Sequence, residues 1–166
     1  MTPIHLSLLM LLAVASLAGC RQGGTTPGVE SVRIGDRVFH LEVAADDATR
    51  AQGLMGRTSI APDGGMLFIF PAAAERSFWM GHCLVDMDIM FLDGRGFVTA
   101  IHEMTVEAPQ GETESDYQYE LRLADYPSRI PAQFAIELQA GMIRTLNIRV
   151  QDKIALDLPR LKALAR

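Results

Sequence analysis

Gly65-Met66-Leu67-Phe68-Ile69-Phe70-Pro71 is the stretch that decides the fold. Met66 to Phe70 is a continuous apolar run of strand length, and Pro71 closes it. That pattern predicts a buried β-strand. Working outward, Val32-Arg33-Ile34 and Val38-Phe39-His40-Leu41-Glu42-Val43 alternate in polarity around Gly35-Asp36, which predicts a β-hairpin. Asp46 or Asp47 then caps a short helix reaching about Leu54, which Gly53 and Gly56 weaken and end. On the other side, Ser77 to Cys83, Asp86 to Leu92 and Phe97 to His102 predict three more strands, with Asp93-Gly94-Arg95-Gly96 as a tight turn. Thr105 to Asp116 is a solvated acidic loop. Tyr117 to Leu123, Phe134 to Leu138, Thr145 to Val150 and Lys153 to Leu156 complete the strand-rich series, and Leu158 to Arg166 predicts a helical turn or two. Many short strands at close spacing predict an all-β fold, a compact β-barrel or β-sandwich with one short helix and a short C-terminal helical turn.

The chain has 166 residues, a formal net charge of -5 and no run of Lys or Arg. The acidic balance argues against nucleic acid as a partner, because phosphate backbones select basic faces. It also argues against electrostatic binding to anionic lipid. Any membrane link must come from elsewhere.

Such a link is legible in the first twenty residues. Leu6 to Ala18 is an apolar run broken only by Ser7 and Ser16, too short to span a bilayer and matched to the core of a secretory signal. Leu17-Ala18-Gly19-Cys20 follows, and resembles the lipobox that lipoprotein signal peptidase reads. The expectation is a signal peptide over 1–19, a lipidated Cys20, a flexible tether over 20–30, one domain over 31–158 and a tail over 159–166. Lipid on Cys20 would hold the protein at the periplasmic face of an envelope membrane. Arg21 at the second mature position points to the outer membrane by resemblance to enterobacterial sorting rules.

Four stretches carry a family resemblance: Thr49-Arg50-Ala51-Gln52-Gly53-Leu54-Met55-Gly56-Arg57; Gly65 to Phe70; Phe78-Trp79-Met80 with Met87-Asp88-Ile89-Met90-Phe91-Leu92-Asp93; and Ala135-Ile136-Glu137-Leu138-Gln139-Ala140-Gly141. Their order and spacing resemble Domain of Unknown Function family 192, over about Val32 to Leu156. The resemblance implies a compact all-β domain and no established activity. After Trp-Met the family pattern has Lys-Asn-Thr, where this chain has Gly81, His82 and Cys83; near the end it has Gly-Asp, where this chain has Gln151-Asp152.

Arg50 and Arg57 lie two helical turns apart, so they could share a helix face. A half-buried arginine needs a partner, and Asp88 and Glu137 match family acids. Together with Trp79, these residues (Arg50, Arg57, Asp88 and Glu137) are the candidate ligand site, an Arg fork being suited to a carboxylate or phosphate. The bland alternative is an ion-pair lattice between helix and sheet. With Cys20 assigned to lipid, Cys83 has no disulfide partner. His82, Cys83, His102, Met80 and Met104 form a soft-ligand set suited to copper or zinc. A Cys83–His102 thiolate pair would be the enzymatic alternative. The expected role is a non-enzymatic binding or accessory module, its partner a small ligand or another envelope protein.

Overall fold

The computed structural model describes residues 28–166. The expected signal peptide and the lipidated Cys20 lie outside the described residues, as does most of the tether. The described chain forms one six-stranded mixed sheet, one two-stranded ribbon and four short helices.

β1 (Val29–Ile34) and β2 (Arg37–Ala44) form the expected hairpin, with Ile34 facing Arg37 across a two-residue loop. Gly35, at φ 61, supplies the positive φ such a loop demands. α1 (Asp47–Gln52) follows, its N-cap Asp46 accepting a hydrogen bond from the Thr49 amide at 2.9 Å. β3 (Gly64–Ala74) contains the apolar run and returns parallel to β2. β4 (Ser77–Phe78) leaves the sheet; β5 (Met87–Leu92) and β6 (Val98–Met104) form an antiparallel pair. α2 (Asp116–Arg122) leads into β7 (Tyr126–Pro127), which pairs with β4. β8 (Ala132–Gln139) inserts between β3 and β5, giving the order β1-β2-β3-β8-β5-β6. α3 (Met142–Thr145) and α4 (Leu158–Leu164) end the chain's elements.

The central strands are apolar on both faces because both faces are covered. Leu67, Ile69, Phe134, Ile136, Met90 and Leu92 point to one face, capped by Ile143, Ile148, Ile154 and Leu161. Met66, Phe68, Phe70, Ala135, Ile89 and Phe91 point to the other, capped by Leu54, Ile60, Phe78 and Met80. The all-β expectation stands. Among the described residues the sheet does not close into a barrel, and its covering layers are helices, loops and the β4–β7 ribbon.

Four expected strands differ, and one of them, Lys153 to Leu156, pairs only through an isolated bridge between Lys153 and Phe97. Tyr117 to Leu123 alternates like a strand but is helical, because Ser115 and Gln118 form a capping box that fixes the first turn. Thr145 to Val150 holds the end of α3 and a turn, in which Asn147 takes φ 52. Ser77 to Cys83 is a strand only at its first two residues; His82 then takes φ 55, which breaks a ladder. The strict alternation that placed Met80 and His82 on one face therefore does not apply there.

Candidate functional site

Two acids are embedded in the apolar sheet on neighbouring strands. Their fates differ. Asp88 on β5 is 1% exposed and points to the face covered by α3. Asp88 Oδ2 accepts from the Ile143 amide at 2.8 Å, so Asp88 caps α3 from a distance, while its Oδ1 is buried without a partner. Burial pushes its carboxyl above the ordinary range, partly opposed by the backbone amides of Ile143 and Gly141.

Glu137 on β8 points to the opposite face, beside Met66 of β3 and Ile89 of β5. It is 6% exposed, and no described residue hydrogen-bonds its carboxyl. Its Oε2 is sealed without a partner. Burial alone raises its pKa to about 8, so the group is largely protonated near neutrality. A buried polar group left unpartnered costs about 1–3 kcal/mol, so the fold carries this one against its own stability.

Glu137 lies at a cavity of about 480 Å³. The C-terminal half of α1 and the turn after it form one wall; Phe68 and Phe70 of β3 and Phe78 of β4 form the aromatic lining; Trp79 and Cys83 stand at the loop side. Phe78 meets Phe68 edge-on at 4.9 Å between centroids and Phe91 at 5.4 Å. Trp79 lies across Gly81: a Cβ there would stand 1.8 Å from the indole. The lysine that the family pattern has at this position would displace the ring, so the placement of Trp79 depends on Gly81.

Two arginines meet at Phe70. The Arg50 guanidinium lies 5.5 Å and that of Arg76 4.1 Å from its centroid. Arg50 is tied down, donating to the Ile69 carbonyl (2.8 Å), to Asp47 (2.6 Å) and to the Arg166 carbonyl (2.7 Å). Arg76 is held by its backbone, which exchanges hydrogen bonds with the fully buried Ser128 at 2.9 and 2.7 Å. Its Nη2 donates to the Ala72 carbonyl, while its Nε is sealed without a partner. Burial lowers the Arg76 pKa, and the nearby charge of Arg50 adds to the effect.

Of the five ligand-site candidates, Arg50, Trp79 and Glu137 share this cavity. Arg57 does not: α1 ends at Gln52, Gly53 turns the chain at φ 49, and Arg57 pairs with Glu42 at 2.8 Å at a separate cavity of about 440 Å³. Among the described residues neither Asp88 nor Glu137 pairs with an arginine, so the expected helix-to-sheet ion-pair lattice is replaced by Arg50–Asp47 and Arg57–Glu42. Arg76, Phe68, Phe70 and Phe78 were missed. Nothing local marks Arg76 after Ala72-Ala73-Ala74; the three phenylalanines were legible as core but not as lining.

The soft-ligand candidates are dispersed into other roles. Met80 and Met104 are buried among apolar side chains. His82 stacks on Tyr119 at 4.9 Å, and its amide donates to the Tyr119 hydroxyl at 2.9 Å. His102 uses Nε2 to meet the Pro127 carbonyl at 2.8 Å. Among the described residues, no three His, Cys, Asp or Glu side chains are grouped to hold a metal ion. Cys83 is half-buried, and burial, with the charge of Glu137 when ionised, pushes its thiol up to about 11. That is opposite to the shift that activates a thiolate.

The fold and site define a small all-β domain with a buried acid, Glu137, lining an aromatic cavity. A profile of the DUF192 family, described as an uncharacterized ACR, matches residues 30–156, and the chain belongs to that family. Among solved structures, a protein of Sinorhizobium meliloti 1021 described as a "putative transcription regulator" is 31% identical, with a TM-score of 0.59 over 72% of this chain and 82% of its own. A protein of unknown function from Novosphingobium aromaticivorans DSM 12444 shares the fold at 23% identity, with a TM-score of 0.64 over 87% of this chain and 91% of its own. No curated protein matches significantly.

Proposed function

We propose that this protein is a non-enzymatic small-molecule binding module of the cell envelope, tethered to a membrane by lipid on Cys20. The observation that carries the binding reading is Glu137: a buried carboxyl with no hydrogen-bond partner among the described residues, lining an aromatic cavity. A cavity of about 480 Å³ is within the range that small ligands occupy. A group that costs stability and serves no internal contact is typical of a site kept for a ligand. The raised Cys83 thiol weighs against the cysteine-enzyme alternative. The regulator description of the Sinorhizobium protein is not carried over to this chain, whose net charge is -5.

Native mass spectrometry of the full chain purified from its own envelope tests the binding reading. A small molecule should co-purify with wild type and be lost in Glu137→Leu. An empty wild-type chain, with no thermal shift from any compound in a metabolite panel, would sink it. The anchoring reading predicts incorporation of a labelled fatty acid that Cys20→Ser abolishes.

A further inference from the structure

Resting on the binding reading, we infer that the cavity takes an elongated zwitterion, its ammonium end on Glu137, its anionic end on Arg76 beside Arg50, and its apolar middle against Phe68 and Phe78. Register gives the length. Glu137 sits level with Met66 on β3, whereas both guanidiniums gather at Phe70. Met66, Phe68 and Phe70 share one face, so four residues of strand separate the two ends, about 13 Å at roughly 3.3 Å per residue. That rise puts the two charged ends on the order of 10 Å apart. Neither arginine forms an ion pair with Glu137, as this spacing requires.

Each end has an unmet need. Glu137 has no donor, and the faces of Phe68, Phe78 and Trp79 around the same cavity favour a cation. Arg76 and Arg50 bring two like charges to Phe70 at the wall of the cavity, an arrangement that an anion relieves. Glu75 also lines the mouth. It makes no ion pair with either arginine, so it leaves Arg76 available. Between the ends only an apolar spacer fits the phenylalanine lining.

The test is calorimetric titration of the purified full chain with aminohexanoate, aminooctanoate, aminodecanoate and aminododecanoate, beside alkylamines and alkanoates of matching length. The zwitterions should show an optimum length and bind roughly tenfold or more tighter than either one-ended series, the worth of one charge-assisted hydrogen bond. Glu137→Gln should erase the advantage over the alkanoate, and Arg76→Gln the advantage over the alkylamine. Arg57→Gln, outside the cavity, should change neither. Binding of zwitterion and alkylamine to wild type should also release about one proton near neutral pH, and binding of alkanoate none. This readout needs no variant. Equal binding of all three classes, or an advantage that survives both substitutions, would overturn the zwitterion while leaving the cavity a binding site. No binding by any member overturns it too, and the binding reading falls with it only if nothing co-purifies with the chain.

Discussion

A Cβ added to Gly65 would stand 2.1 Å from the backbone oxygen of Glu137, and the two residues therefore bind β3 to β8 at a separation that only glycine permits. Gly65 also takes φ 146, a conformation other residues rarely adopt. The close approach sits beside the strand position that carries the buried acid. Gly65→Ala must part the two strands or twist β3, and should cost more than about 3 kcal/mol, at the severe end of single substitutions. Urea unfolding monitored by the fluorescence of Trp79 measures it; a loss below about 1 kcal/mol would show that the strands adjust freely.

Glu137 should oppose the stability of its own fold. Glu137→Leu removes an unpartnered carboxyl and keeps the volume, so it should stabilise the domain by about 1–3 kcal/mol. Ligand co-purification should disappear in the same variant. A destabilised Glu137→Leu would mean that the carboxyl has a partner within the fold.

The same group sets a pH dependence. Its folded pKa is raised from 4.5 to about 8, so the folded state holds a proton that the unfolded chain releases. The stabilisation is complete below about pH 4.5, falls as pH rises toward 8, and is gone above it, a change on the order of a few kcal/mol. Asp88 and Cys83 are also shifted upward, Cys83 titrating at higher pH. Glu137→Gln isolates the effect. Between pH 5 and 8 the wild type should lose stability relative to this variant, and parallel curves would contradict the assignment.

Cys83 should be a slow nucleophile. A thiol moved from 9.0 to about 11 has roughly a hundredfold less thiolate at neutral pH. Alkylation by iodoacetamide should lag a free cysteine peptide by about tenfold or more. Glu137→Gln should quicken it above pH 8, where the wild-type carboxylate would otherwise repel the thiolate. A rate equal to that of the peptide at neutral pH would restore the enzymatic alternative.

Asp88 is the structural counterpart of Glu137. Asp88→Asn keeps an acceptor for the Ile143 amide and should be mild, whereas Asp88→Leu strands that amide and should cost about 1–3 kcal/mol. Equal effects, measured by denaturant unfolding, would remove the capping role.

The two acids also show where sequence reasoning stops. The Met66–Phe70 run and the hairpin around Gly35 announce themselves through local pattern, and the sheet follows. A lone acid inside an apolar strand is visible too, at both 88 and 137. Which of the two meets a donor depends on what packs above each face, and α3 lies 55 residues from the Asp88 that caps it. The Arg50–Arg57 pairing failed because a helical interval was extended past a glycine that ends the helix. Ser115 and Gln118 carry a capping box, a local helix signal that competes with the strand-like alternation after it. Arg76 gains its role solely from Phe70 and Ser128, and no local pattern encodes either contact.

β8 is flanked by hydrogen-bonded strands on both sides. Its residues exchange with solvent only when the sheet as a whole opens, so the floor of the cavity is among the last parts of the molecule to loosen. A ligand seated on Glu137 is thereby coupled to global unfolding and not to the motion of a surface loop. Each tenfold excess of such a ligand over its Kd adds about 1.4 kcal/mol to the folded state. The resistance of the domain to proteolysis would then rise and fall with the supply of such a ligand, making its abundance a record of occupancy.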